Sequence, residues 1–169
     1  MTLPAPDVAA AHRLWGQYRS ARPSVARDVG LPPVEYFGDS PALADELLRL
    51  VASGRKRATA TLAIEFALDD QLLPRIGDHW VACDGSGSPR LVLRSTALRV
   101  GTIGSADESF ARDEAEDDGS LAAWLDSHGA YWQRIAAAGG FEFTEDSEIV
   151  FEHFEVVWGL DGYPSEDRT

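Results

Sequence analysis

A single cysteine, Cys83, is the only thiol in 169 residues. It excludes an internal disulfide and any zinc site built from clustered cysteines. An unpaired thiol suits a reducing compartment, and the cytoplasm is the expected location. Long apolar runs are missing too. No stretch of about 18 apolar residues occurs, so no membrane span and no membrane partner is expected. Met1–Asp7 has two prolines and no basic stretch leading into an apolar one, which is not the pattern of a secretory signal. The sequence also lacks a phosphate-binding loop of the nucleotide-hydrolase type, a Gly-x-Gly-x-x-Gly and a His-Glu-x-x-His. Its four histidines, His12, His79, His128 and His153, are widely spaced, and no nucleophile elbow marks a serine hydrolase.

Positive charge is scarce. Fifteen basic residues face 28 acidic ones, a net charge of −13. Duplex DNA is a poor partner for such a chain, because phosphate contacts draw their affinity from clustered cations. A short RNA or a modified nucleoside held at one local basic site is compatible with the balance. Among the fifteen cations Lys56 is the only lysine, leaving fourteen arginines. Arginine keeps its proton throughout the biological range, whereas a desolvated lysine can give one up. The neighbourhood of Lys56 is therefore where proton chemistry would be sought.

What the sequence does contain is one domain's worth of ordinary apolar content, 44%. Ala9–Arg22 reads as a short helix with Leu14, Trp15 and Tyr18 on one side, ended by Arg22-Pro23 and followed by an extended Leu31-Pro32-Pro33 linker. Ser40 and Pro41 open a second helix whose stripe is Leu43, Leu47, Leu48 and Val51, with Gly54 as its terminator. From Arg55 to Leu62 the chain becomes extended. Gln71–Gly77 reads as a loop, His79–Cys83 as a strand, Asp84–Gly87 as a tight turn and Leu91–Val100 as a long alternating strand. Asp107–Asp118 begins as a helical turn. Ser120 caps a longer helix carrying Trp124, Leu125, His128 and Trp132, stopped at Gly139-Gly140, and Ile149–Trp158 makes a last strand. Gly159–Thr169 reads as a polar tail.

Most features here have bland explanations. His128, on an apolar helix stripe, reads as a half-buried core histidine. Trp124, Trp132 and Trp80 read as packing residues. The acidic run from Asp113 to Asp118 reads as solvated surface, although one or two of its carboxylates admit a divalent ion. No other cofactor is expected. Arg55, Lys56 and Arg57 follow a helix C-terminus, where cations are favoured by the dipole alone. Lys56 and Thr59 nevertheless pair an amine with a hydroxyl three residues later. A sharp turn would let the amine act as base for the weak hydroxyl nucleophile, with a carboxylate to orient them.

Several segments carry a resemblance. They are Tyr36-Phe37-Gly38-Asp39-Ser40-Pro41 running on into Ser53-Gly54-Arg55-Lys56-Arg57-Ala58-Thr59, then Leu73-Pro74-Arg75-Ile76-Gly77-Asp78, Ser120-Leu121-Ala122-Ala123-Trp124, and Phe143-Thr144-Glu145-Asp146 leading to Phe151–Val157. In this order they resemble the ASCH family, from about Trp15 to Trp158. The resemblance implies an α+β fold, a PUA-like small mixed β-barrel surrounded by helices, with a cleft beside the Gly-x-Lys-x-x-Thr loop. The implied layout is a helical arm and linker over 1–34, the domain over 35–158 and a tail over 159–169. RNA is the implied partner, at single-stranded or modified positions.

Two activities follow from the family. Some bacterial members are ribonucleases, and a small branch hydrolyses the amide of N4-acetylcytidine with a Lys, a Thr three later and a Glu. Carried over, these are Lys56, Thr59 and Glu116, with Glu114 as the alternative carboxylate. Thr61 stands where the amidohydrolases have an Arg. The longer chain sides with the ribonuclease branch, for which Lys56 and a hydroxyl at Thr144 are implied. Arg55, Arg57, Thr61 and Thr144 are the expected substrate-binding residues, and no resident metal is implied. Ribonuclease-type hydrolysis of single-stranded RNA is the leading expectation. The alternatives are the amidohydrolase and a binding module without chemistry.

Overall fold

A computed structural model describes residues 2–24 and 30–159. The expected tail lies outside these residues beyond Gly159. Five helices, α1 (Val8–Ala21), α2 (Pro41–Ala52), α3 (Ala63–Leu68), α4 (Glu108–Glu114) and α5 (Leu121–Gly139), accompany five strands. The strands are β1 (Val34–Glu35), β2 (Ala58–Leu62), β3 (His79–Cys83), β4 (Pro89–Gly101) and β5 (Ile149–Gly159). They form one mixed sheet in the order β1-β3-β4-β5-β2. β1 runs parallel to β3, with Val34 opposite Val81, while β3–β4 and β2–β5 are antiparallel. The α+β expectation holds, but the sheet is open. β1 and β2 are its edges, and no pairing joins them among the described residues.

Local chemistry explains the elements. Asp7 caps α1 by accepting the Ala10 N–H at 2.9 Å, and Ala11, Leu14, Trp15 and Tyr18 repeat at helical spacing on its buried side. The helix ends before Pro23, since a residue preceding proline avoids the helical region. Ser40, in extended conformation, caps α2, Pro41 takes the first turn, and Gly54 beyond the helix adopts φ +74°. Ser120 caps α5 and left-handed Gly140 ends it. Two elements fall outside the expectations. β1 is too short for alternation to register. α3 buries none of its residues, so no apolar stripe announces it; Glu65 accepts the Leu62 N–H at 3.0 Å and closes its first turn.

The chain divides into two compact units. The first, Met1–Gly54 with Gly77–Arg94 and Phe154–Thr169, has two apolar clusters. In one, Leu47, Leu48 and Val51 of α2 pack with Leu91, Leu93, Phe37 and Phe154. In the other, Leu14, Trp15 and Tyr18 of α1 pack with Val81 and Val92. Gly85 is required where it stands, because a Cβ there would meet the Pro41 carbonyl oxygen at 2.2 Å. Buried His79 bonds the Tyr18 hydroxyl at 3.2 Å, and burial first, then Arg94, holds its ring below the ordinary histidine range.

The second unit, Arg55–Ile76 with Ser95–His153, is built on Ala58, Leu62, Phe110, Trp124, Trp132, Ile149 and Phe151. Phe110 meets Trp124 and Phe151 edge-on at 6.0 and 4.9 Å between centroids, a favourable arrangement for the aromatic quadrupoles. No helix among the described residues is long and apolar enough to cross a membrane.

Cys83 is fully buried, and burial above all, with Asp84 next, pushes its thiol up to about 12. A thiol needs its thiolate to react. Native protein at pH 8 should therefore resist alkylation by iodoacetamide and become labelled only when urea unfolds it. Rapid labelling of native protein would contradict this packing.

Candidate active site

The second unit contains a buried charge cluster. In α4, Phe110, Ala111 and Glu114 are the buried residues. Glu114 is one helical turn beyond Phe110, so the face that inserts the phenyl ring into the core carries the carboxylate inward with it. A carboxylate there must find donors. One oxygen, Oε2, accepts the Trp124 indole N–H at 2.5 Å and meets His128 Nε2 at 3.0 Å. The other, Oε1, lies 3.9 Å from the Lys56 ammonium and has no hydrogen bond of its own. Burial is the largest influence on Glu114 and raises it, but Lys56, His128 and the indole together hold the carboxyl below its ordinary value.

Lys56 is 1% exposed. Its Nζ donates to Glu116 Oε1 at 2.5 Å, and Glu116 remains 22% exposed. Ala115, between the two glutamates, takes a left-handed conformation with φ 54°, which ends α4 and turns Glu116 toward the same amine. His128 Nδ1 faces the Trp124 carbonyl oxygen at 3.1 Å. Both ring nitrogens therefore face oxygen atoms, Glu114 Oε2 and the Trp124 carbonyl. The ring also stacks on Trp124, centroids 4.1 Å apart. Two carboxylates thus meet the Lys56 amine and the His128 ring within one cluster.

Beside it, Asp113 Oδ1 pairs with Arg57, its carbonyl oxygen accepts the Arg57 N–H at 2.7 Å, and Oδ2 meets His153 Nε2 at 3.2 Å. Arg99 lies over the Phe151 ring, 3.7 Å from its centroid, within cation–π range. Glu114, Glu116 and His128 present ligand atoms within 4.8 Å of one another, a set that suits a divalent cation by type. The Lys56 ammonium sits against both carboxylates and already supplies positive charge there.

The expected residues separate into two groups. Lys56, Glu114 and Glu116 come together. Ala58 and Leu62 of β2 pack into the aromatic core, so by strand alternation Thr59 and Thr61 point to the other face. There Thr59 is in register with Glu152 and Thr61 with Val150. Glu152 is buried and accepts the Ser95 hydroxyl at 2.5 Å. Arg55 and Arg57 are exposed. Thr144 is exposed in the turn before β5, its hydroxyl accepting the Asp146 N–H at 3.3 Å.

Two readings of the sequence need correction. The acidic run is not uniformly solvated, because Asp113, Glu114 and Glu116 turn onto cations and Glu114 is fully buried. His128 is buried as expected, but it belongs to the charge cluster as well as to the core. For Glu114 the signal was available: it continues the Phe110–Ala111 face of α4. For Asp113, His153, Ser95 and Glu152 there was none, since their partners lie 40 to 57 residues away.

Comparison with known proteins now identifies the class. A family model described as the ASCH domain matches residues 34–158. The chain belongs to the ASCH domain family, and its fold is PUA-like. It is similar to the crystal structure of an ASCH domain from Lactobacillus crispatus JV V101, with 28% identity and a TM-score of 0.79 over 89% of this chain and 95% of that one. It is similar also to a protein of Enterococcus faecalis V583, at 27% identity and a TM-score of 0.81 over 90% of each chain. No curated protein matches it in sequence.

Stability should follow the Glu114 charge. Its folded-state pKa is lowered, so its contribution is present above the ordinary carboxyl value and is lost as pH falls through the lower folded value. Glu114→Gln should cost about 3–5 kcal/mol at pH 7, as expected when one partner of a buried pair is removed. That deficit should shrink on acidification below pH ~4.5. Urea unfolding at both pH values measures it, and a deficit independent of pH would contradict the charge pairing.

Proposed function

We propose that this ASCH protein is a hydrolase of single-stranded RNA that cleaves through the ribose 2′-oxygen. The observation that carries the reading is the Lys56–Glu116 pair at 2.5 Å, with the amine sheltered and the carboxylate partly open to solvent. Cleavage by this route needs a base to take the 2′-OH proton and positive charge to stabilise the phosphorane. Glu116 is the base. Lys56 holds it in place and supplies charge from beneath, and the exposed Arg55 and Arg57 meet the phosphate. The 2′-oxygen bonds to phosphorus as the bond to the 5′-oxygen breaks; that oxygen takes a proton from solvent, and Glu116 returns to solvent the proton it took from the 2′-OH. The products are a 2′,3′-cyclic phosphate and a 5′-hydroxyl. An overall charge of −13 confines such binding to this basic patch.

On a labelled single-stranded RNA, Glu116→Gln should lower kcat by about 10²-fold or more, the usual share of a general base. Arg57→Ala should chiefly raise KM. A strand carrying one 2′-deoxy residue should survive at that position. Cleavage by Lys56→Ala or Glu116→Gln at the wild-type rate would refute the assignment.

The same pair favours a second reading, amide hydrolysis of N4-acetylcytidine, since it joins the amine and carboxylate that such chemistry uses. That reaction also asks for Thr59, which lies on the opposite face of β2, and for an Arg where Thr61 stands. Both departures favour the RNA reading. Release of acetate from N4-acetylcytidine, abolished by Thr59→Ala, would reverse the order. No turnover at high enzyme concentration is expected.

A further inference from the structure

The second unit has another surface that the RNA site does not use. Among the described residues, five of the seven exposed large apolar side chains, Ile64, Leu68, Leu72, Leu73 and Ile76, fall between residues 64 and 76. Such clustering distinguishes a patch from scattered surface leucines. Part of it is concave. A groove of about 570 Å³ is lined by Leu62, Ile64, Phe66, Leu72, Leu73 and Phe141, among others, with Glu142 and Glu148 at its margin. Hydrogen bonds hold its walls: Ala63 N–H donates to the Glu148 carbonyl at 2.8 Å, and Gln71 N–H to the Phe66 carbonyl at 2.7 Å. Asp70, with φ 54°, makes the turn between helix and loop.

Charge decides what fits. Residues 63–76 and 141–148 together carry seven carboxylates and one cation, Arg75, a local net charge of −6. RNA is repelled by that field. A second copy would bring its own −6 against the first. Residues 160–169 carry three carboxylates and one arginine, and also have the wrong sign. A small apolar molecule would fill the groove and leave Leu68 and Ile76, 59% and 70% exposed and outside its lining, uncovered.

We propose that this acidic-rimmed apolar groove docks a basic amphipathic segment of a partner protein. The partner's apolar stripe covers Leu72, Leu73 and Phe141, and its Lys or Arg side chains meet Glu142 and Glu148. This mode is helix-in-groove recognition, with aliphatic anchors for affinity and rim charge for selection. The docking is independent of the RNA chemistry.

The probes are designed peptides of about 18 residues, long enough for five helical turns. One is an amphipathic Leu/Lys helix, the second the same composition with its leucines dispersed, and the third a Leu/Glu helix. Binding is read by fluorescence anisotropy. The wild-type protein should bind the amphipathic Leu/Lys helix at least about tenfold more tightly than the dispersed one, and should not bind the Leu/Glu helix. Leu72→Ser with Leu73→Ser should weaken binding by about tenfold or more, as loss of central anchors does. Glu142→Gln with Glu148→Gln should weaken it less and flatten its salt dependence. A cooperative urea transition followed by fluorescence of the core residues Trp124 and Trp132 verifies that each variant is folded. Equal binding of both Leu/Lys peptides, or unchanged binding by a folded Leu72→Ser/Leu73→Ser protein, overturns the proposal. Peptide-free dimerisation abolished by that variant assigns the groove to a second copy and overturns it as well.

Discussion

Glu114 has no water to solvate it, so its charge must be answered inside the protein. Lys56, ahead of β2, and His128 and the Trp124 indole, both on α5, provide that answer. Losing one of them would leave a buried charge without its partner, a far larger penalty than the loss of a surface ion pair. The arrangement therefore couples the end of α4, the first turns of α5 and the segment entering β2. It also limits where the Lys56 amine can be. An amine that is 1% exposed and bonded to Glu116 at 2.5 Å is held in one geometry without a loop closing over it.

The cluster is assembled by the fold itself. Charges held in advance need little reorganisation, the property on which the proposed RNA cleavage relies. The acidic surface beyond the cluster does different work. For the proposed RNA substrate it leaves the short basic segment Arg55–Arg57 as the place to meet a phosphate. Around the α3 groove the same acidity favours a partner of opposite sign.

Much of the fold could be read from the residues. The caps at Ser40 and Ser120, the terminators at Gly54 and Gly140, and the alternation of β3 and β4 each act within a few residues, and they place α2, α5 and the hairpin correctly. α3 and β1 could not be found this way. α3 buries nothing and β1 spans two residues, so neither repeats often enough for a period to show. The site was legible in part. Lys56 stood out as the only lysine, and Glu116 and Glu114 as its carboxylates. Thr59 was expected beside the amine, but β2 starts at Ala58 rather than after a sharp turn, and strand alternation sends Thr59 toward Glu152.

Local rules and composition determined four of the five helices, most strands and the scarcity of positive charge. They could do so because each depends on the chain's own neighbours or on simple counts. Tertiary structure alone decided that the sheet stays open, which cations answer Glu114, that His128 faces a carboxylate, and that Asp113 bridges Arg57 and His153. These outcomes depend on which residues meet across 14 to 60 positions of sequence, as from Glu114 to His128 and from Lys56 to Glu116. A carboxylate in an acidic run looks the same in sequence whether water or an ammonium will face it. Only the packing of α4 against the aromatic core selects between them.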